Sequence, residues 1–282
     1  MPAQLIVITP KRAAEQVIVA DQSSYLIGRA ADNDIVIAEP SVSRQHARLT
    51  HEEQLWLMND LNSVNGLRSN GLQQQCCFLE DGALVLVGNV PVLFQQLGTQ
   101  QLQQILQYDG WRKQQARQIQ QQSLAKHDAD INDLLSQALT LCQMDRAAIL
   151  LGCELSSLKL HSSVGVSKTA REGATFFGSL GALQTAIGCE TLIVNDISQH
   201  QALSQRASVK RNNLSALACM PLICQGQLLG LFYIDSQQPS KFLSSLDVEL
   251  LQTLVESISL YLLSQQIDQQ LHYISLNSRQ IS

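Results

Sequence analysis

Short apolar runs separated by polar residues dominate the first third of the chain. Segments such as QLIVIT (4–9), SYLIG (24–28), QLWLMN (54–59) and ALVLVG (83–88) are rich in Val, Ile, Leu and aromatic side chains. Apolar runs of this length, bounded by Gly, Asn, Asp and Ser, predict strands. Many short strands at near-regular spacing predict an all-β sandwich over residues 1–97.

The pattern changes after residue 97, where a glutamine-rich stretch replaces the strand-like runs. Residues 98–127 are dominated by Gln, which forms helices well without adding charge. Apolar side chains recur there at helical spacing, at Leu102, Ile105, Leu106, Ala116, Ile119 and Leu124. We therefore predict a helical linker over residues 98–127, with an unstructured polar linker as the alternative.

Helix-like and strand-like patterns alternate between residues 128 and 265. DINDLLSQALTLC (130–142) places apolar residues at helical spacing behind Asp130, a residue type that commonly caps helix N-termini. RAAILLG (146–152) has the composition of a strand, and LACMPLICQGQLLGLFYID (217–235) that of a hairpin. The order predicts a domain that packs helices against a sheet, an α/β or α+β fold.

A long helix is predicted from Ser244 or Ser245 onward, and its apolar stripe continues past the end of this domain. The stripe comprises Leu250, Leu251, Leu254, Val255, Ile258, Tyr261 and Leu262, and continues with Ile267, Leu271 and Ile274. An apolar helix face beyond a globular core needs a partner, so we expect a second copy of this chain, or another protein, to cover it. Residues 266–282 are accordingly predicted to be a C-terminal helical tail.

The charge balance narrows the function classes. Only 15% of the 282 residues are charged, and the formal net charge is −5. A nucleic-acid-binding protein would need a basic face to neutralise phosphates, so we expect no nucleic-acid partner. No run approaches the roughly 18 apolar residues of a membrane-spanning helix, so we expect no membrane partner.

The seven cysteines bear on redox environment and metal binding. They form no Cys-x-x-Cys pair and no Cys/His cluster with the spacing of a zinc site, so we expect neither a metal nor another cofactor. An odd number of scattered cysteines is typical of reduced thiols, which predicts a cytoplasmic protein.

The segment from Gly28 to Leu49 contains polar residues that could bind a phosphate. Arg29 offers a planar fork of hydrogen-bond donors, and Ser43 offers a neutral hydroxyl donor. Arg44 adds a further positive charge. A phosphorylated side chain carries about two negative charges and three acceptor oxygens, so these residues form a candidate phosphate site. The alternative is a surface arginine and a turn serine with no ligand.

Five motifs in order resemble the forkhead-associated (FHA) family over about residues 3–97. They are GR at 28–29, NDI at 33–35, SVSRQHARL at 41–49, NDLNSVNGLRSNG at 59–71 and LVLVG at 84–88. The resemblance implies a β-sandwich whose loops bind phosphothreonine peptides. The phosphothreonine-binding residues it implies are Arg29, Ser43, Arg44 and Asn65, with structural support of the site from Gly28, His46 and Gly66.

The same resemblance implies roles for the remaining residues. Asn65 would pair with the peptide backbone beside the phosphate, and His46 would hydrogen-bond neighbouring loops. Gly28 and Gly66 would allow tight turns. Many family members carry Thr or Ser before the Asn-Gly pair, where this chain has Val64. Losing that hydroxyl costs about 0.5–1.5 kcal/mol, which predicts weaker binding and leaves binding of unphosphorylated protein as an alternative.

The order of elements between residues 128 and 265 resembles the GAF family, as do Pro221, Gly226, Gly230 and Asp235 in the hairpin. The resemblance implies a sheet with helices and, in many members, a small-molecule site above the sheet. It also implies a homodimer formed through the flanking helices. The motifs of the cyclic-nucleotide-binding and bilin-binding members are missing from this sequence.

Cysteines in this region leave an enzymatic alternative open. Some GAF proteins reduce methionine sulfoxide with cysteines, whereas this chain has Cys189, Cys219 and Cys224 in different sequence surroundings. No nucleophile, base and orienting residue occur in order. Buried cysteine commonly packs as a small apolar residue, which favours a structural role for Cys219 and Cys224.

These patterns together predict a non-enzymatic signalling adaptor. Its FHA-like region (1–97) would dock on a phosphothreonine protein, such as a Ser/Thr kinase or its substrate. Its GAF-like region (128–265) would sense a small molecule or form a homodimer. A thiol-based redox enzyme or sensor with FHA targeting is the alternative.

Overall fold

The computed structural model describes residues 2–9, 12–20, 23–52, 54–125, 130–166, 176–197, 203, 213–239 and 241–279. At residues 120, 122–125 and 269–279 it describes the backbone alone. The chain divides into two compact units, Met1–Asp109 and Gly110–Ser282.

The first unit consists of strands in two sheets. Its strands are β1 (Ala3–Val7), β2 (Glu15–Val19), β3 (Ser24–Gly28), β4 (Ile35–Val36), β5 (Ala47–Glu52), β6 (Leu55–Asp60), β7 (Leu67–Ser69), β8 (Leu72–Gln74), β9 (Cys76–Leu79), β10 (Leu84–Val87) and β11 (Val90–Gln96). One sheet has the order β2-β1-β11-β10-β7-β8, and the other has the order β4-β3-β5-β6-β9. Strand β3 pairs with β4 in parallel and with β5 antiparallel.

Alternating side chains of the two sheets build one core in this unit. In β10, Val85 and Val87 are buried while Leu84 is exposed, as the two-residue period of a strand requires. Trp56 of one sheet and Phe94 of the other meet in this core, with ring centroids 5.9 Å apart. Two sheets packed face to face are a β-sandwich, which confirms the fold predicted for the N-terminal region.

The second unit is a five-stranded sheet with helices. Its strands are β12 (Arg146–Leu151), β13 (Lys159–Val164), β14 (Leu192–Val194), β15 (Ala216–Cys224) and β16 (Gln227–Ser236), in the order β13-β12-β16-β15-β14. The helices of the described ranges are α1 (Thr99–Ala125), α2 (Ile131–Cys142), α3 (Leu180–Ala186) and α4 (Ser245–Arg279). Helix α1 begins before the boundary between the units. The mixed helix-and-sheet fold predicted for this region is confirmed.

The hairpin predicted over residues 217–235 lies within this sheet. Strands β15 and β16 pair antiparallel around Gln225 and Gly226, whose φ angles are 50° and 77°. Positive φ at both central residues is the geometry of a type I′ turn, whose twist matches that of paired strands. The Gln-Gly pair therefore sets the register next to the turn, and the pairing of the two strands shifts by one residue between Leu222 and Ile223.

Helices pack on both faces of the sheet. Leu135 of α2 and Leu251 of α4 are fully buried in one core, and Leu183 of α3 is buried in another. Ala116 and Ile119 of α1 join the core that contains α2 and α4. The second half of α1 is therefore packed into the second unit.

Side chains cap two of these helices at their predicted starts. Asp130 accepts a hydrogen bond from the Asn132 N–H at 2.8 Å and caps α2. Ser244 and Asp247 form a capping box at α4: the Asp247 N–H donates to Ser244 Oγ at 3.2 Å, and the Ser244 N–H donates to Asp247 Oδ2 at 2.7 Å. Arg112 of α1 pairs with Asp247, so α1 is tied to the start of α4.

Candidate functional site

Loops that follow and precede neighbouring strands meet at one end of the first unit. The predicted ligand-contacting residues lie on them: Arg29 after β3, Ser43 and Arg44 before β5, and Asn65 before β7. The Arg29 N–H donates to the Ser43 carbonyl at 2.8 Å, and the Ala30 N–H donates to the Arg44 carbonyl at 3.2 Å. The structure therefore brings Arg29 and Ser43 together through the backbone.

Gly28 allows this close approach of the two loops. A Cβ atom at Gly28 would lie 2.2 Å from the Arg44 carbonyl oxygen, far inside contact distance. Asn33 of the NDI motif is buried beside it, and its Nδ2 donates to the carbonyls of Ala30 and Arg44 at 2.8 and 2.7 Å. The missing side chain of Gly28 and the hydrogen bonds of Asn33 thus hold the two loops together, and neither residue fills the space where a ligand would bind.

Arg29 presents most of its donors to solvent. Its Nε donates to the Val42 carbonyl at 3.1 Å, which fixes the orientation of the guanidinium. The side chain is exposed, and its Nη groups have no acceptor in the described part of the chain. A guanidinium that is anchored through Nε, with both Nη groups free to donate, is oriented for bidentate binding of an oxyanion.

Ser43 is half-buried and likewise has hydrogen-bonding capacity left. Its Oγ accepts from the Val64 N–H at 3.0 Å, and its own N–H donates to His46 Nδ1 at 3.0 Å. Within the described ranges the hydroxyl hydrogen has no acceptor. Arg44, the next residue, has an exposed side chain that adds positive charge to the same loop.

His46 is fully buried and connects two loops. Since Nδ1 accepts from the Ser43 N–H, the ring proton is on Nε2. That nitrogen lies 3.1 Å from the Gly66 carbonyl oxygen and 2.9 Å from Ser63 Oγ. Both ring nitrogens are engaged, so His46 positions its neighbours and offers no atom to a ligand.

Ser63 and Asp60 complete this network, and neither was predicted from the sequence. Ser63 Oγ donates to Asp60 Oδ1 at 2.5 Å and accepts from the Gly66 N–H at 2.9 Å. The Ser63 N–H donates to Asp60 Oδ2 at 3.1 Å. Asp and Ser are common in turns because their side chains bond to nearby backbone groups, and this composition was visible in the sequence. Gly66, with φ of 68°, completes the turn.

Asn65 is exposed, and a second network holds it. Its Nδ2 donates to the Ser41 carbonyl at 2.7 Å, while Ser41 Oγ accepts from the Asn89 N–H at 3.2 Å. Arg68 binds the turn that contains Asn89: its Nη2 donates to the Gly88 carbonyl at 3.0 Å and to Asn89 Oδ1 at 2.7 Å. Arg68 and Ser41 were not predicted from the sequence. The amide oxygen of Asn65 has no donor within the described ranges, so it can accept from a peptide N–H.

The second unit carries a buried polar cluster, the Tyr233 cluster, formed by Arg146, Ser179, Tyr233 and Asp235. The Tyr233 hydroxyl donates to Asp235 Oδ2 at 2.8 Å and accepts from the Ser179 N–H at 3.1 Å. Arg146 Nε and Nη2 donate to the two Asp235 oxygens at 2.7 and 2.8 Å. Phe176 packs edge-on against Tyr233, with centroids 4.9 Å apart. Burial raises the pKa of Tyr233 well above its ordinary value, so its hydroxyl stays a neutral donor.

A groove of about 760 Å³ lies elsewhere on the second unit, beside α4. Its walls include Asp130, Cys153, His161, Tyr261 and Gln265. Carboxylate, imidazole, phenol and amide groups give this groove a mixed polar character.

The buried thiols do not form a reactive pair. Burial raises the pKa of the Cys142 thiol to about 12 and that of Cys219 further still, so neither is a thiolate at neutral pH. Cys219 and Cys224 lie on one strand, which separates them by about 17 Å, beyond disulfide reach. Cys153 and Cys189 are exposed.

Neither a membrane-spanning helix nor a metal-binding cluster occurs among the described residues. No helix there combines the length and the apolar character needed to cross a lipid bilayer. No group of three or more His, Cys, Asp or Glu side chains there is arranged to hold a metal ion.

Comparisons with known families divide the chain in the same order as the sequence analysis. Residues 25–88 match the model of the FHA domain, and residues 129–262 match the model of the GAF domain.

Individual relatives align with the first unit. An ABC transporter ATP-binding/permease protein of Mycobacterium tuberculosis is 43% identical over 68 residues, which are 24% of this chain and 8% of the relative. The FHA domain-containing protein FhaB of the same organism is 34% identical over 64 residues, 23% of this chain and 41% of FhaB. The chain thus matches less than half of the length of each relative.

Solved structures also align with the first unit. The FHA domain of FhaA complexed with the intracellular domain of Rv3910 is 26% identical, over 33% of this chain and 99% of that one, with a TM-score of 0.31. M. tuberculosis EmbR in complex with a low-affinity phosphopeptide is 29% identical, over 35% of this chain and 25% of that one, also with a TM-score of 0.31.

Proposed function

Because the chain carries an FHA domain followed by a GAF domain, we propose that it is a non-enzymatic signalling adaptor that binds phosphothreonine-containing protein through its first unit. The observation that carries this proposal is the state of Arg29 and Ser43. Their loops are joined by a backbone hydrogen bond of 2.8 Å, and both side chains keep donors without acceptors in the described part of the chain.

The chemistry of a phosphothreonine matches those open donors. The phosphate carries about two negative charges and three acceptor oxygens. Arg29 binds two of these oxygens through Nη1 and Nη2, and the Ser43 hydroxyl donates to the third. Hydrogen bonds to charged groups contribute about 1.5–3 kcal/mol each, so these contacts dominate the affinity. The Asn65 amide oxygen accepts from the peptide backbone.

Two structural relatives support this proposal. EmbR has been solved with a phosphopeptide, and the FHA domain of FhaA with an intracellular protein domain. We propose that the partner of this chain is similarly a phosphorylated protein, a Ser/Thr kinase or its substrate, in the cytoplasm.

We propose that the second unit regulates the adaptor by forming a homodimer. Leu260 and Ile267 of α4 are each 45% exposed and lie seven residues apart, so they share one side of the helix. The apolar stripe of the sequence continues at Leu271 and Ile274. A second copy of α4 would cover the side of the helix that carries Leu260 and Ile267. A small molecule sensed by this unit would bind in the groove beside α4.

The first experiment compares phosphorylated and bare peptides. A phosphothreonine peptide library is bound to the full chain, and the best peptide is titrated with and without its phosphate by calorimetry. We expect binding only to the phosphorylated form, and about 100-fold weaker binding by Arg29→Ala. Arg48→Ala, which removes an exposed arginine of β5 outside the site, is the matched control and should leave the affinity unchanged. Equal binding of both peptide forms would refute the proposal.

A further inference from the structure

Val64 is the most exposed large apolar side chain in the described part of the chain, with 88% of its surface accessible. Single exposed apolar residues are common on protein surfaces, so exposure alone assigns no role. The position of Val64 does, because it lies between Ser63, which holds the loop, and Asn65, which faces the peptide backbone in the proposed complex.

The backbone of Val64 is attached to the phosphate-binding hydroxyl. Its N–H donates to Ser43 Oγ at 3.0 Å, and its Cα lies one covalent bond, about 1.46 Å, from that nitrogen. The isopropyl group therefore begins beside the atom that contacts the phosphate. A peptide whose phosphate reaches Ser43 must place a neighbouring residue close to Val64.

The loop that carries Val64 is held before any ligand arrives. On one side Ser63 Oγ bonds to Asp60 and to the Gly66 N–H, and on the other Asn65 Nδ2 donates to the Ser41 carbonyl. Valine is also branched at Cβ, which restricts its χ1 rotamers. A contact made by Val64 therefore costs little conformational entropy.

The chemistry of Val64 contrasts with the cations beside it. Arg29 and Arg44 offer charge and hydrogen bonds, whereas an isopropyl group gains free energy only by excluding water together with another apolar group. We propose that Val64 is a specificity-determining residue that selects segments with an apolar side chain next to the phosphothreonine. This inference rests on the proposed phosphothreonine binding of the first unit.

The test begins with a phosphothreonine peptide library whose flanking positions are randomised. We expect the full chain to enrich Val, Ile, Leu or Met at one flanking position. Two peptides that differ only there, Ile against Ser, should then differ about tenfold in Kd, because burying about 55 Å² of apolar surface corresponds to that ratio.

Val64→Ala should reduce this ratio to about threefold or less. Because the side chain is exposed, the variant should fold like the parent, which circular dichroism checks. Leu55→Ala, which truncates an exposed apolar residue of β6 outside the site, should keep the tenfold ratio. Selection of polar residues, a ratio near one in the unaltered chain, or an unchanged ratio in Val64→Ala would overturn the inference while phosphate-dependent binding persists. Equal binding of phosphorylated and bare peptides would instead remove the proposed function on which the inference rests.

Discussion

Arg29 in the first unit and Arg146 in the second are both oriented by hydrogen bonds, but they differ in what remains open. Arg29 uses Nε on the Val42 carbonyl and exposes the rest of its guanidinium. Arg146 uses both Nε and Nη2 on Asp235, which also accepts from the Tyr233 hydroxyl. The difference teaches that a binding site is recognised by donors that lack partners rather than by a concentration of polar residues.

The same difference separates binding from stability. A buried pair loses its compensation when one partner is removed, because the remaining charge stays desolvated. An exposed donor remains hydrated when a neighbouring group is removed. Substitutions in the Tyr233 cluster should therefore affect folding, and substitutions at the tip of the first unit should affect ligand affinity.

The largest effect should follow from removing Asp235. Asp235→Ala leaves the Arg146 guanidinium and the Tyr233 hydroxyl without their acceptor, so the free energy of unfolding of the second unit should fall by about 3–5 kcal/mol. Urea denaturation followed by circular dichroism measures this change. Arg29→Ala, the corresponding variant in the first unit, should change the free energy of unfolding of that unit by less than about 0.5 kcal/mol. Equal destabilisation by the two variants would erase the contrast between the units.

A second prediction concerns the exposed apolar side of α4 in the second unit, which carries Leu260 and Ile267. Ile267→Glu places a charge in the proposed α4 interface and should weaken dimerisation about 100-fold, since a buried unpaired charge is strongly unfavourable. Light scattering across a concentration series measures the change. Gln266→Glu adds the same charge at the neighbouring exposed position and should leave the dimer intact. A monomeric parent protein at tens of micromolar would contradict the proposed interface.

The elements that the sequence predicted well are those with a local signal. The strands of the sandwich and the hairpin around Gln225 and Gly226 follow from runs and turn residues that lie within a few positions of each other. The start of α4 follows from Ser244 or Ser245, a capping residue type that precedes an apolar pattern at helical spacing. Periodicity and capping are readable without knowledge of the tertiary structure.

The contacts that the sequence did not predict join residues far apart in the chain. Arg112 and Asp247 are 135 residues apart, and no local pattern in the sequence links the two. Arg68 and Asn89, 21 residues apart, support Asn65 only because β7 and β10 are neighbours in the sheet. Polar side chains in loops have no period, so their partners become visible only once the strands are in register.

A third prediction uses the buried thiol of Cys142. Its pKa is about 12 in the folded state against an ordinary value of 9.0. Below pH 9 the thiol therefore keeps its proton in both the folded and the unfolded chain, and it adds no pH dependence to the free energy of unfolding. Between pH 9 and 12 the unfolded chain loses the proton while the folded chain keeps it, and stability falls as pH rises. At pH 10 the loss is on the order of 1 kcal/mol. Urea denaturation at pH 8 and pH 10 measures it, and Cys142→Ala should remove this share of the pH dependence. An identical pH dependence in the variant would contradict it.

The smallest predicted effect tests whether Arg68 acts on the ligand through Asn65. Arg68 contacts Gly88 and Asn89, Asn89 contacts Ser41, and the Ser41 carbonyl accepts from Asn65, so the guanidinium lies three contacts from Asn65 and four from the proposed peptide. Arg68→Ala should weaken phosphopeptide binding about fivefold, or about 1 kcal/mol, by loosening the turn that positions Asn65.

A double-mutant cycle separates this positioning role from direct contact with the ligand. If Arg68 acts through Asn65, Arg68→Ala should cost almost nothing in the Asn65→Ala background, because the group that it positions is already gone. If Arg68 instead attracts the phosphate through its charge, the two losses should add, and the affinity of Arg68→Ala should depend more weakly on salt than that of the parent. Calorimetry of the two single variants and the double variant at two salt concentrations distinguishes these cases, and additive losses would place Arg68 in the charge-bearing part of the site beside Arg29.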